Sequence, residues 1–272
     1  MSINTPWVIE VDDLDALIDQ PNTCIIDLSS PALYANEHIP SAVFLDYSNI
    51  VKDTPPVIGL IPDANEFEKA LSEIGATSDS YIVAYDGEGS GKAARLLWTL
   101  EIAGHNKMSL LNGGLNAWKE RNRPTTSKAP EITRSIYKLN FNNQDGVVNA
   151  DEILMQLDDS KTCVLDARSR DEFLGTDVRS KRVGHIPGAV NLDWMTLKDQ
   201  KNHLHLKPKE ELQHMLTALG VTKEKNIITH CQSHHRSALM YVTLKSLGFE
   251  NVKGYPGSWS DWANREDTPI EI

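Results

Sequence analysis

Cys231 is the residue of this chain best placed to act as a nucleophile. Ile227-Ile228-Thr229-His230 reads as a β-branched strand, Cys231-Gln232-Ser233-His234-His235-Arg236-Ser237 as a short polar loop, and Ala238 to Leu247 as an amphipathic helix. A cysteine at a strand end, in a loop that runs into a helix, meets backbone N–H groups and the positive end of the helix dipole. Both favour thiolate over thiol. No Asp or Glu occurs between Glu224 and Glu250, whereas Lys225, Arg236 and Lys245 do. A cysteine ending a strand is often only a core residue. The polar run that follows it, with two His and an Arg, speaks against that use.

Other chemistries fit the spacing less well. Cys-dependent phosphatases also place His-Cys before an anion-holding loop, but they need five residues between Cys and Arg. Only Gln232, Ser233, His234 and His235 lie between Cys231 and Arg236, so the ring is tighter and suits one sulfur better than a tetrahedral phosphate. A metal site from His203, His205, His234, His235 and Cys231 lacks paired zinc spacing, and none is expected. The thiol chemistry needs no cofactor.

The elements that position Cys231 emerge from a repeat. Thr23-Cys24-Ile25-Ile26-Asp27 returns as Thr162-Cys163-Val164-Leu165-Asp166, and His38-Ile39-Pro40-Ser41-Ala42-Val43 as His185-Ile186-Pro187-Gly188-Ala189-Val190. Pro62 to Leu71 returns as Pro208 to Leu219, and Tyr81 to Tyr85 as Asn226 to His230. Gly113-Gly114-Leu115-Asn116-Ala117-Trp118 returns as Gly257-Ser258-Trp259-Ser260-Asp261-Trp262. Five blocks in one order imply a duplicated domain: residues 1–124, a linker at 125–143 containing Pro130, and residues 144–272. Short β-branched runs alternate with helical patterns. In the second half the helices are expected at Asn149 to Leu157, Ser169 to Leu174, Pro208 to Leu219 and His235 to Leu247, and Asp63 with Glu66 has capping-box spacing in the first. The fold class is therefore α/β, each domain a parallel-type sheet with helices on both faces. Cys24 and Cys163 occupy equivalent strand positions and read as core residues.

The halves differ where chemistry is expected. Asp86-Gly87-Glu88-Gly89-Ser90-Gly91-Lys92 follows the first-half strand, with Asp86 standing where the second half has Cys231. A carboxylate can be held by a ring of N–H donors but cannot carry sulfur. The glycines lack Walker spacing. The first half then reads as a non-catalytic copy.

The totals agree with this reading. A chain of 272 residues with net charge -11 has room for two domains and little affinity for nucleic acid or an anionic membrane as a general partner. Its N-terminus lacks a basic region followed by an apolar core, and no apolar run approaches a membrane span. Three cysteines are too few for a disulfide framework, which fits a cytoplasmic protein.

On Asp166-Ala167-Arg168, Gly184-His185-Ile186-Pro187-Gly188-Ala189, the Cys231 loop and Gly257 to Trp262, the chain resembles the tandem-domain rhodaneses, or thiosulfate sulfurtransferases, over essentially its whole length. The loop looks most like that of a bacterial subgroup reading Cys-Gln-Thr-His-His-Arg. The resemblance implies two rhodanese-type domains, the first inactive, and a Cys231 that takes sulfane sulfur from thiosulfate, becomes a persulfide and passes the sulfur to cyanide or a thiol by ping-pong kinetics. It makes Gln232, Ser233, His234, His235, Arg236 and Ser237 the substrate-binding loop. Arg236 draws in the donor or braces the loop, with His234 and His235 as possible assistants. Arg168 is expected as an internal strut paired with a carboxylate, and Asp166 as a strand-end anchor. Arg179, Lys181 and Arg182 lie in an insertion that either lines the mouth of the site or is solvated, and Trp194 either walls the pocket or packs elsewhere.

Two positions depart from the family. Glu172 stands where many members carry an Arg, and Ser233 where vertebrate thiosulfate enzymes carry a Lys. Both cations would meet the donor anion, so 3-mercaptopyruvate remains the alternative donor, although the loop lacks the Cys-Gly-Ser/Thr-Gly form typical of those enzymes. A non-enzymatic interaction or persulfide-carrier module is the reading from another class. The two joined domains are expected to form a monomer.

Overall fold

A computed structural model describes residues 5–141 and 145–272. The first four residues of the expected N-terminal domain, and Asn142 to Gln144 where the linker meets the second domain, lie outside the described residues.

In chain order the elements of the first half are β1 (Val8–Ile9), α1 (Val11–Leu17), β2 (Thr23–Asp27), α2 (Pro31–Asn36), β3 (Val43–Phe44), β4 (Lys52–Thr54), β5 (Val57–Leu60), α3 (Ala64–Glu73), β6 (Tyr81–Tyr85), α4 (Gly91–Ile102), β7 (Met108–Leu111) and α5 (Gly114–Glu120). The second half continues with α6 (Ala150–Leu154), β8 (Thr162–Asp166), α7 (Arg170–Phe173), β9 (Val190–Asn191), β10 (Lys198–Asp199), β11 (His205–Leu206), α8 (Lys209–Ala218), β12 (Asn226–His230), α9 (Arg236–Ser246), β13 (Val252–Gly254) and α10 (Ser258–Trp262). No helix among the described residues is long and apolar enough to cross a membrane.

The described residues form two compact units, one of residues 5–51, 62–141 and 200–206, the other of 52–61, 145–199 and 207–272. The first holds a five-stranded parallel sheet ordered β1-β7-β6-β2-β3, the second a four-stranded parallel sheet ordered β13-β12-β8-β9. Residues 52–61, first-half in sequence, form the antiparallel hairpin β4–β5 and pack with the second unit, so the compact units do not follow the sequence halves throughout.

Each sheet is flanked by helices and closes its own core. The first core gathers Ile9, Leu14, Ile25, Val83 and Trp118; the second gathers Ile153, Val164, Ile228, Trp259 and Trp262. The repeat survives in detail. Trp118 Nε1–H donates to the Pro124 carbonyl and Trp262 Nε1–H to that of Pro269, each at 2.8 Å.

The central strands explain the site's place. Ile227 and Ile228 of β12 are buried between β13 and β8, as a two-sided apolar run requires. β12 pairs with β8 so that His230 lies beside Asp166, just as Tyr85 lies beside Asp27 in the first sheet. Cys231 and Asp86 are the next residues along their strands. Both therefore stand at the carboxyl ends of central parallel strands, where α/β sheets bind ligands.

Two local expectations changed. α9 is buried nearly all round rather than amphipathic, because Leu239, Met240, Tyr241 and Val242 are all enclosed. Asp63 is the N-cap of α3 but its side chain makes no cap hydrogen bond, whereas the same spacing closes a full capping box at Asn149/Glu152 and at Ser169/Glu172.

Candidate active site

Cys231 is fully buried, and burial alone raises a thiol's pKa. Its surroundings reverse that: the Arg236 guanidinium, the Ser237 hydroxyl and the backbone N–H groups of Ser237 and Ser233 bring it below the ordinary value. Cys24 and Cys163 show the contrast, since burial pushes the first up to about 12 and raises the second. Cys163 is buried in the core and Cys24 is half-buried, and neither has a cation that would favour its thiolate over burial.

The loop is held from below by α10. Ser258 Oγ accepts N–H bonds from Cys231 at 3.3 Å and His234 at 3.0 Å, and donates to the Tyr255 carbonyl at 2.7 Å. Trp259 N–H donates to the Cys231 carbonyl at 2.9 Å and Ser260 N–H to that of Gln232 at 3.0 Å. His234 is buried with φ +52°, a conformation uncommon outside glycine, and its Nδ1 lies 2.8 Å from Ser237 Oγ. This histidine shapes the loop from inside.

Arg236 opens α9 and reaches down to Glu172, with Nη1–Oε2 at 2.5 Å and Nη2–Oε1 at 2.8 Å. Glu172 is almost wholly enclosed, and the same carboxylate caps α7 through the N–H and hydroxyl of Ser169. Burial raises its pKa, but the bonds to Arg236 hold it below the ordinary carboxylate value. The position at which family members carry a donor-binding cation therefore carries Arg236's partner. Sequence reasoning missed this because residues 172 and 236 meet only through the fold. Ser258 was missed too; its signal was the change from Gly114 to Ser258 in a block whose first glycine and last tryptophan repeat.

Beneath the sulfur lies a second buried pair. Arg168 Nε bonds both Asp166 oxygens at 3.0 and 2.9 Å, Nη2 bonds Oδ2 at 2.6 Å and the Gly184 carbonyl at 2.9 Å, and the guanidinium lies 4.3 Å from the Trp259 ring centroid. Against burial, which raises it, His230 and this cation together hold the Asp166 carboxyl low. Burial brings His230 down to about 4, so its imidazole is neutral near pH 7; Nδ1–H donates to the Cys231 carbonyl at 3.3 Å.

The remaining expected residues scatter. Gln232 Nε2 reaches Ser180 Oγ at 3.1 Å, which ties the loop to the insertion. Arg179 lies 2.8 Å from Asp177 and 3.6 Å from Glu172, and exposed Lys181 lies 3.6 Å from Glu266. Arg182 instead spends its guanidinium on the carbonyls of Trp262, Ala263, Arg265 and Thr268, bracing the C-terminal segment. The Trp194 ring centroid lies 6.0 Å from that of His235 and 3.5 Å from Lys198 Nζ. Among the described residues no group of three or more His, Cys, Asp or Glu is arranged to hold a metal; His203 and His205 pack near Glu120 in the first unit.

The equivalent first-unit loop shows what such a loop binds. Asp86 accepts N–H bonds from Glu88 and Ser90 at 2.8 Å on one oxygen, and from Lys92 at 2.9 Å and Ala93 at 3.0 Å on the other. Four amides converge on one negative charge.

Comparison with known proteins agrees with this duplicated geometry. The rhodanese-like domain model matches twice, at residues 10–121 and 149–265. Thiosulfate sulfurtransferase of Azotobacter vinelandii is 39% identical over 267 residues, covering 98% of this chain and 97% of the relative. A 3-mercaptopyruvate sulfurtransferase of Escherichia coli is 32% identical over 283 residues and 99% of both chains. The crystal structure of a 3-mercaptopyruvate sulfotransferase from Escherichia coli superposes with TM-score 0.81 at 32% identity, covering 94% of this chain and 99% of the other. With both halves matched and the whole length shared, the chain belongs to the rhodanese-like family, with two copies of its domain in tandem.

Proposed function

We propose that this protein is a thiosulfate sulfurtransferase whose sulfur carrier is Cys231. The observation that supports the reading best is the sulfur's setting: a buried thiol held below its ordinary pKa by Arg236, Ser237 and the loop amides. The Cys231 thiolate attacks the outer sulfur of thiosulfate. A new S–S bond forms, the sulfur–sulfonate bond breaks, and its electron pair leaves with sulfite. The terminal sulfur of the persulfide then takes the place of an anion in the amide ring. Cyanide or a thiol attacks that sulfur, and the breaking S–S bond returns its electrons to Cys231. Gln232, Ser233, His234, His235, Arg236 and Ser237 form the loop that accepts donor and sulfur, Trp194 walls it through His235, and Arg182 braces the segment behind it. The catalytic domain is residues 144–272, the non-catalytic one 1–124, and 125–143 the linker. Three free thiols fit a reducing, cytoplasmic setting, and the protein works as a monomer.

Mercaptopyruvate is the second donor, favoured by the full-length match to the Escherichia coli enzyme and by Glu172, which pairs with the half-buried Arg236. Incubation with thiosulfate, followed by intact-mass measurement before and after cyanide, tests the reading. Wild type should gain one sulfur and lose it as thiocyanate, and Cys231→Ala should gain none. No gain from thiosulfate but gain from mercaptopyruvate moves the assignment to that donor. No gain from either rejects sulfur transfer in favour of an interaction module.

A further inference from the structure

The hairpin β4–β5 touches the sulfur-holding loop at one glycine. Gly59, at φ +73°, lies so close to Ser233 that a Cβ on it would stand 2.2 Å from the Ser233 carbonyl oxygen and 2.7 Å from the Ser233 Cβ. The N–H on the other side of that same peptide group, that of His234, donates to Ser258 Oγ at 3.0 Å. The Ser233–His234 peptide is thus pinned by its carbonyl against Gly59 and by its N–H against Ser258, at the point where His234 takes its left-handed turn. The hairpin is tied once to α10 and once within itself, Asp53 lying in β4. Ile58 N–H donates to Ser260 Oγ at 3.0 Å, and Gly59 N–H to Asp53 Oδ1 at 2.7 Å.

We propose that Gly59 is a positioning residue for the sulfur on Cys231: by admitting the hairpin backbone against Ser233, it fixes the turn that aims the Ser233 and Ser237 N–H groups at that sulfur. The inference rests on Cys231 as the sulfur carrier. Donors that hold an anion act fully only when aligned before the charge arrives, so a turn displaced by one methyl group weakens both the thiolate and the persulfide. Ser233 carries no cation here, so its contribution to the sulfur is its own N–H, one peptide before the group that Gly59 meets.

The test uses full-length Gly59→Ala, Asp53→Ala and Ser260→Ala. Rates of iodoacetamide alkylation against pH give the Cys231 thiolate midpoint without any sulfur donor, and thiosulfate–cyanide turnover gives kcat and KM. In Gly59→Ala the midpoint should rise by about one pH unit and kcat fall about tenfold, with KM changed less than about threefold. Asp53→Ala and Ser260→Ala should move both in the same direction, by about threefold in kcat. A folded Gly59→Ala with an unchanged midpoint overturns the proposal, even if kcat falls. Should that variant not fold, unchanged midpoints in both Asp53→Ala and Ser260→Ala overturn it. A wild type that takes up no sulfur rejects the sulfurtransferase reading instead, while the alkylation midpoints still decide the role of the hairpin.

Discussion

At Cys231, burial and charge oppose one another, and the charge wins: the thiol sits below its ordinary value because Arg236 and the Ser233 and Ser237 donors outweigh desolvation. A group whose folded pKa is depressed stabilises the fold above its unfolded value, near 8.5 for cysteine, and that contribution is lost as pH falls through the folded value. Arg236→Gln removes the cation and leaves Glu172 buried beside a neutral amide. The expected result is a higher alkylation midpoint, sulfur loading slowed by roughly tenfold to a hundredfold, and a loss of about 3–5 kcal/mol in urea unfolding. His230 carries the same sign of linkage in a lower pH window. Its folded value is about 4 against an unfolded value near 6.5, so the unfolded chain binds more protons between those limits and stability falls as pH drops through that window. Unfolding free energies from urea at pH 7 and pH 5 should therefore diverge more in wild type than in His230→Gln, by roughly 2 kcal/mol.

Among the elements, the two strand–loop–helix segments show which parts a sequence displays. The strand before Cys231, the polar loop and the presence of a helix after it follow from residue type, because each is local, although the helix begins at Arg236 and is enclosed rather than amphipathic. The hairpin β4–β5 leaves no such mark: its strands are three and four residues long and flank Pro55-Pro56, too short for a periodic pattern. The pairing of Glu172 with Arg236 was hidden for a different reason, since an acid at a position expected to be basic reads as a lost contact until its partner is seen. In the first-unit segment, the anion that Asp86 supplies orders the turn into α4. Asp86→Asn replaces one acceptor oxygen by an NH₂ group facing donors. It should cost about 2–4 kcal/mol in urea unfolding, and hydrogen exchange should quicken at whichever pair of amides loses its acceptor, Glu88 with Ser90 or Lys92 with Ala93.

The molecule as a whole uses one scaffold twice and places a thiol after only one of the two equivalent central strands, and the differences are few enough to name. Asp27 and Asp166 end equivalent strands, but Ser29 stands where Arg168 neutralises the second carboxylate, and burial raises the Asp27 pKa. Tyr85 replaces His230 and Asp86 replaces Cys231. Ser30 caps the Leu33 N–H as Ser169 caps that of Glu172, and Gly91 opens α4 where Arg236 opens α9. A leucine and a glycine thus occupy the places of the Glu172–Arg236 ion pair. Gly114, at φ +56°, occupies the place of Ser258, and a Cβ on it would stand 2.6 Å from the Asp86 carbonyl oxygen. The first unit keeps the amide ring and lacks the cation. If a ring of N–H donors were sufficient for sulfur transfer, Asp86→Cys in a Cys231→Ala background would restore it. If the Arg236 charge is required as well, the transplanted thiol should titrate above Cys231 and load sulfur from thiosulfate at least about a hundredfold more slowly, the share of a charge-assisted contact worth about 3 kcal/mol. Intact-mass time courses on the double variant, with alkylation confirming that the introduced thiol is reduced and reachable, separate the two. Loading at the wild-type rate would show that backbone amides alone make the sulfur carrier.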